Sequence, residues 1–110
     1  MRILSFSKRW QKLSNPTFTT FRFPRKDKDW FVGEVVQVWL KTRSPEREYI
    51  CEAVIVAKNY LPLYFITNAE AREDGFANKR DMFMWVLKAH GGKRAVAENF
   101  MMNKLTLRHH

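Results

Sequence analysis

The sequence predicts an α+β domain that is mostly β, built as a small barrel of strands with two or three short helices. Residues 17–23 (TFTTFRF) alternate and are rich in β-branched and aromatic types, a pattern typical of a strand. Residues 34–41 and 48–58 predict a hairpin of two long strands. Because helical patterns do not alternate regularly with strands, a small mixed barrel with helices over its ends fits better than a βαβ fold.

Two short elements are predicted before Pro16. Residues 2–6 (RILSF) predict a short strand. Ser7 can cap a helical turn or two over residues 8–13, whose apolar side chains share one face. The helix is expected to end at Pro16, since proline cannot continue it.

The strand over residues 17–23 has two distinct faces. With a period of two, Phe21 and Phe23 lie on one face, while Thr20 and Arg22 lie on the other. If the two phenylalanines face the core, the hydroxyl and the guanidinium point together into solvent or into a groove.

The central hairpin follows a charged loop over residues 24–29. Gly33 precedes its first strand and is expected to adopt a positive φ at the turn. In residues 34–41 (EVVQVWLK), the alternating apolar residues define one buried face. The apolar run after the second strand is interrupted by Pro62, so we expect a sheet edge or a packed connection there.

The last third of the chain predicts two helices and a strand. Thr67 and Glu70 match a capping box, and the helix that they begin should end at Gly75. A second helix is predicted over residues 78–89, ended by the glycine pair that follows it. The chain closes with a strand over residues 99–108, in which leucines alternate with polar residues.

Length and composition exclude several classes of protein. We expect one domain over residues 1–110, because the chain has 110 residues, of which 45% are hydrophobic and 28% charged. One cysteine and three histidines argue against a disulfide scaffold and against a structural zinc site. The sequence predicts no metal or cofactor. The sequence lacks an apolar run long enough for a membrane span, so we expect no membrane partner and a cytoplasmic location.

Positive charge is concentrated near the N-terminus. The net charge is +9, and residues 1–28 contain eight bases against one acid, or +7. Aromatic residues are interleaved with these bases. Such a mixture suits single-stranded nucleic acid, because bases neutralise phosphates and aromatic rings stack on nucleobases. The alternatives are a solvated basic surface above an aromatic core, or an acidic protein partner.

The sequence predicts a set of nucleic-acid-binding residues that combines this basic segment with the polar face of the strand over residues 17–23. The predicted residues are Lys8, Arg9, Lys12, Thr20, Arg22, Arg25, Lys26 and Lys28.

Three segments in order resemble the ASCH domain of the PUA-like superfamily. They are Thr-Phe-Arg at residues 20–22, Trp-Phe-Val-Gly-Glu at 30–34, and the Ile-Thr…Asp-Gly-Phe run at 66–76. The resemblance covers roughly residues 3–107. It implies a PUA-like barrel of five or six strands, with a cleft between the Thr-x-Arg strand and the helix end near Gly75. It also implies a partner that is RNA or a modified nucleotide, since domains of this superfamily bind such ligands.

A hydrolytic branch of the family is similar to a bacterial acetylcytidine amidohydrolase with a Lys-Thr-x-Thr-x-Arg motif. On this chain, the resemblance places the nucleophile at Thr20, the arginine at Arg22 and a catalytic acid near Asp74. The motif's lysine falls on Thr17, so Lys12 or another base would have to reach the threonine from elsewhere. A hydrolase of modified pyrimidine nucleosides, or a ribonuclease, is therefore the alternative function, with Thr20 and Asp74 as catalytic candidates.

Each candidate also has a purely structural interpretation. Thr20 suits a strand without any further role. Arg22 could form an ion pair with Asp74 or Glu73. Asp74 follows a helix C-terminus, where the helix dipole does not favour a carboxylate, so it is either exposed or kept for a ligand. The tryptophans that could stack on bases, or could equally fill the core, are Trp10, Trp30 and Trp39.

Overall fold

A computed structural model describes the backbone of residues 1–97 and 100–110, and the side chains outside residues 89–99. It contains one curled, half-barrel sheet of five strands with two α-helices, which confirms the mostly β, α+β prediction. The strands are β1 (Ile3–Phe6), β2 (Thr17–Arg22), β3 (Val35–Leu40), β4 (Glu48–Pro62) and β5 (Met101–His109), and the helices are α1 (Asn68–Glu73) and α2 (Lys79–Ala97). No helix within the described residues is long and apolar enough to cross a membrane.

The sheet order is β1-β3-β4-β5-β2, so the two strands nearest the N-terminus form its opposite edges. β1 is parallel to β3, whereas the other neighbouring pairs are antiparallel. The predicted hairpin is confirmed as β3 and β4, and Val36 and Val38 are fully buried on its inner face. β4 extends beyond the predicted Lys58 as far as Pro62, which is tolerated because proline stands at the strand's last position.

Two hydrophobic clusters lie on the two sides of the sheet. One fills the curl of the sheet and includes Phe6 and Phe18. The other lies between the sheet and the helices and includes Phe21, Phe23 and Met82. Strand β2 therefore contributes core residues from both faces, which explains why it contains two buried phenylalanines and two buried threonines.

The first predicted helix is wrong in type and extent. Instead of a helix over residues 8–13, the chain forms a single 3-10 turn over Gln11–Ser14, with Trp10 in an extended conformation before it. Trp10 packs on Gly75 and on the ring of Phe76. This tertiary packing outweighs the weak local preference for a helix.

The second predicted helix is correct at its beginning and wrong at its end. Asn78 accepts a hydrogen bond from the backbone N–H of Asp81 at 2.9 Å, and α2 follows. The helix continues to Ala97 through Gly91 and Gly92. A glycine ends a helix when it turns to positive φ, and otherwise it only weakens the helix by about 1 kcal/mol. The predicted start of the last strand, Asn99, lies outside the described residues.

The predicted capping box and both glycine turns are confirmed. Thr67 Oγ1 accepts from the backbone N–H of Glu70 at 3.1 Å, and Glu70 Oε1 accepts from the backbone N–H of Thr67 at 3.2 Å. Gly75 follows α1 with φ +109°, and Gly33 precedes β3 with φ +94°. The turn at Gly75 brings the end of α1 against Trp10.

Candidate functional site

An open cleft of about 680 Å³ lies between β1, β2, the end of α1 and the first half of α2. Its lining divides into a polar floor, an aromatic wall and a basic rim. The floor contains Lys12, Thr20, Arg22 and Asp74. These four side chains were singled out from the sequence, and the fold brings them together although they are up to 62 positions apart.

A buried ion pair forms one half of the floor. Lys12 Nζ lies 2.8 Å from Asp74 Oδ1, and the two side chains are only 6% and 7% exposed. Thr19 Oγ1 donates a further hydrogen bond to the same carboxylate oxygen at 3.3 Å. Burial raises the pKa of Asp74 and lowers the pKa of Lys12, while their mutual attraction opposes both shifts. The expectation that Asp74 is exposed is wrong, because Lys12 offsets the cost of burying its charge.

Arg22 and Thr20 form the other half of the floor. Arg22 Nε donates to Thr20 Oγ1 at 3.1 Å, and both side chains line the cleft, as the alternation in β2 predicted. The guanidinium lies 4.7 Å from the centre of the Phe6 ring. Burial lowers the pKa of Arg22 to about 10, so it remains charged at neutral pH.

The terminal nitrogens of Arg22 make no hydrogen bond to the described residues. Among the described residues, no carboxylate forms a salt bridge with Arg22, and its hydrogen bond to Thr20 uses only Nε. Asp74 is near enough to favour the charged guanidinium, but its hydrogen bonds go to Lys12 and Thr19. Neither Asp74 nor Glu73 therefore forms the ion pair with Arg22 that the structural interpretation required.

The aromatic wall consists of Trp10, Phe76 and Trp85. The ring centre of Trp10 lies 5.0 Å from that of Phe76 and 5.6 Å from that of Trp85. Trp85 is 39% exposed, so part of the wall is open to solvent. Lys8 Nζ lies 3.8 Å from the Trp10 ring and 5.4 Å from the Trp85 ring, and it therefore adds positive charge at the edge of the wall. Trp30, in contrast, is a core residue.

Gly75 holds the wall in place, and its replacement is a test of this arrangement. In Gly75→Ala, the new Cβ would lie 2.8 Å from Trp10 Cε3, and the φ of +109° would strain any side chain. We expect the free energy of unfolding to fall by more than the strain cost alone, which is about 1–3 kcal/mol. Gly33→Ala is the matched control, since its φ is +94° but no atom lies within 4 Å of the added Cβ.

Urea denaturation and tryptophan fluorescence measure both effects. Gly75→Ala should destabilise the chain more than Gly33→Ala and should shift the native emission spectrum, because it displaces Trp10. Equal stability losses with unchanged spectra would contradict the close packing of Trp10 on Gly75.

The basic rim of the cleft was not predicted from the sequence. It is the segment after β3, where Lys41 and Arg43 line the cleft. Lys41 donates its backbone N–H to Phe6 O at 2.9 Å, and Thr42 Oγ1 donates to Ser5 Oγ at 2.9 Å, so the segment is fastened to the end of β1. The parallel pairing of β1 with β3 creates this proximity, and no local pattern in the sequence indicates it.

Several predicted binding residues lie outside the cleft lining. Arg9 forms an exposed ion pair with Glu48 at 2.5 Å, and Arg25 forms one with Asp27 at 3.0 Å. Lys26 and Lys28 are exposed in the loop after β2, where Lys28 Nζ lies 4.8 Å from the Phe31 ring. Three of the eight predicted residues, Lys12, Thr20 and Arg22, therefore line the cleft, and Lys8 stands at its margin.

The structure brings the two catalytic candidates into one cleft, but not the position of the motif's lysine. Thr20 and Asp74 both line it, whereas Thr17 is exposed and pairs with Arg108 at the far end of β2. Lys12 enters the cleft from the preceding turn, on a different element from the lysine of the family motif. No group of three or more potential metal ligands occurs within the described part of the chain.

Comparison with protein-family models, with curated proteins and with solved structures finds no match for this chain.

Proposed function

We propose that this chain is an RNA-binding domain of the ASCH, PUA-like kind, and that its cleft holds one nucleotide of a single strand. The observation that carries the proposal is the position of Arg22. Its terminal nitrogens make no hydrogen bond to the described residues, and its side chain lines the same cleft as the aromatic wall. A nucleotide needs both features, because its base is a flat ring and its phosphate is an anion.

The charge of the lining supports an anionic ligand. Among the described residues, four bases line the cleft, Lys12, Arg22, Lys41 and Arg43, together with one acid, Asp74. Since Lys12 pairs with Asp74, and Lys41 pairs with Glu46 at 3.0 Å, the charge that remains for a ligand comes from Arg22 and Arg43. A guanidinium can donate two parallel hydrogen bonds to a phosphate, which makes Arg22 the principal anchor.

The shape of the cleft supports a ligand with an aromatic ring. Its volume of about 680 Å³ is within the range of small-molecule sites. Trp10, Phe76 and Trp85 provide a partly exposed aromatic surface beside the charged floor, since Lys12 Nζ lies 5.4 Å from the centre of the Trp10 ring. One cleft therefore combines a partly exposed aromatic surface with the guanidinium of Arg22, which a basic surface without a specific ligand does not require.

Salt dependence tests the proposal. Lys8, Arg22 and Arg43 give about three phosphate contacts, so the affinity for a single-stranded RNA should fall with a log–log slope of about −2 in salt concentration. Fluorescence anisotropy with a labelled oligonucleotide at several salt concentrations measures the slope. Absence of binding at low salt, or a flat response, would overturn the proposal.

A hydrolase of modified pyrimidine nucleosides is the second candidate, and one observation favours it. Lys12 is buried in the same cleft as Thr20, and burial lowers its pKa, as a proton acceptor for a threonine nucleophile would require. Its present hydrogen bond goes to Asp74, however, and the hydroxyl that contacts Asp74 belongs to Thr19. Release of acetate from N4-acetylcytidine that is lost in Thr20→Ala would assign this activity, and absence of release would remove this substrate.

A further inference from the structure

A second, smaller hollow of about 340 Å³ lies beside the polar cluster formed by Asp29, Lys58 and Asn103. Asp29 has both carboxylate oxygens occupied. They accept from the backbone N–H groups of Arg25 and Trp30, from Lys58 Nζ at 2.9 Å and from Asn103 Nδ2 at 2.9 and 3.1 Å. The carboxylate is therefore satisfied and offers little to a bound cation.

Asn103 lines this hollow and carries an unsatisfied acceptor. Its side chain is fully buried, and its Oδ1 has no hydrogen-bond partner within the described residues. The amide cannot relieve this by turning over, because that would point Oδ1 at the Asp29 carboxylate. The burial of an unpaired carbonyl oxygen costs free energy, so the position favours a ligand that brings an N–H or O–H donor.

The hollow also offers a donor and an aromatic ring. Lys58 uses two of its three ammonium protons, on Asp29 Oδ2 at 2.9 Å and on Trp30 O at 2.8 Å, which leaves one. Tyr60 lines the hollow and is 58% exposed. An acceptor, a donor and a ring face together match the edge and the face of a nucleobase.

We propose that this hollow is a second nucleotide subsite, which takes a nucleobase with an N–H donor such as the amino group of adenine or cytosine. The inference rests on the proposed function, because it assigns a neighbouring nucleotide of the same strand. The two sites have neighbouring residues, since Arg22 on β2 pairs directly with Asn103 on β5. Paired residues of antiparallel strands place their side chains on the same face, about 5 Å apart at their Cα atoms.

The test measures binding of short RNA to the full chain. A hexamer of adenosine is compared with a hexamer of purine riboside, which lacks the amino group but keeps the ring. We expect the unmodified chain to bind the adenosine hexamer about tenfold more tightly than the purine riboside hexamer. In Asn103→Leu, the two hexamers should bind with nearly equal affinity. Tyr60→Ala should weaken adenosine binding about tenfold through lost stacking. Tyr64→Ala is the matched control, because Tyr64 is 60% exposed but does not line the hollow, and it should change affinity less than twofold.

The outcomes separate this inference from the proposed function. Equal effects of Tyr60→Ala and Tyr64→Ala, with a loss of binding in an Arg22 variant, would overturn the second subsite and leave the cleft proposal standing. A loss in Tyr60→Ala without one in the Arg22 variant would support the subsite and overturn the cleft. If Asn103→Leu fails to fold, the tyrosine pair and the two hexamers still decide the question.

Discussion

Replacement of Lys12 by methionine is expected to lower the free energy of unfolding by about 3–5 kcal/mol, the usual cost of removing one partner of a buried ion pair. Methionine fills a similar volume, so the loss would come from the Asp74 carboxylate, which would remain buried with its hydrogen bond from Thr19. Urea denaturation at neutral pH, followed by tryptophan fluorescence, measures the effect.

The loss in Lys12→Met should depend on pH. Burial already raises the pKa of Asp74 above its ordinary 3.8, and the Lys12 ammonium opposes that rise. Without Lys12 the native pKa rises further, so the native state keeps a proton over a range above pH 3.8 in which the unfolded chain has lost it. The free energy of unfolding of the variant should therefore fall as pH rises through this range, which makes the deficit smaller near pH 4 than near pH 7.

Two further variants control this experiment. Lys12→Met combined with Asp74→Leu should recover much of the stability, because the uncompensated charge is gone. Lys41→Met removes a partner of the exposed Lys41–Glu46 pair, whose side chains are 46% and 74% exposed, and should cost at most about 1 kcal/mol. If Lys12→Met costs no more than Lys41→Met, the buried pair does not stabilise the fold as we describe.

Replacement of Arg22 by methionine is expected to reduce the affinity for single-stranded RNA about 10- to 100-fold, the range for loss of a well-placed arginine contact. Arg22 lines the cleft, and no carboxylate among the described residues pairs with its terminal nitrogens. Fluorescence anisotropy at fixed low salt measures the change, and a urea titration establishes that the variant is folded.

Arg9→Met is the matched control for the Arg22 variant. Arg9 belongs to the same basic N-terminal segment, but it is exposed, pairs with Glu48 and lies outside the cleft lining. Its loss should change affinity only by the small effect of one surface charge. Equal losses in the two variants would mean that RNA binds the basic segment at large rather than the cleft.

Local patterns in the sequence predicted the parts of this fold that depend on local chemistry. The alternation in β2 placed Thr20 and Arg22 side by side, and the capping box placed the start of α1, because each depends on the geometry of a few adjacent residues. The helix predicted over residues 8–13 was wrong, since the packing of Trp10 on Gly75 decides the conformation there.

Long-range pairing explains what the sequence did not predict. Lys41 and Arg43 reach the cleft because β1 pairs in parallel with β3, and residue spacing does not reveal which strands become neighbours. The partner of Asp74 was missed for the same reason, since Lys12 lies 62 positions away in the chain. Charge counting found the basic segment, but it could not distinguish Arg22 from Arg9 and Arg25, whose charges are offset by nearby acids.

The distance along the chain between Lys12 and Asp74 has a consequence for how the protein could be divided. A peptide of residues 1–28 retains the charge of +7. It lacks the Asp74 carboxylate, the wall rings of Phe76 and Trp85, and the basic rim. Such a peptide is a simple polycation, attracted to any phosphate chain without regard to its bases. Any discrimination among nucleobases therefore belongs to the assembled tertiary structure, and a ligand that occupies the cleft must stabilise the folded chain by mass action.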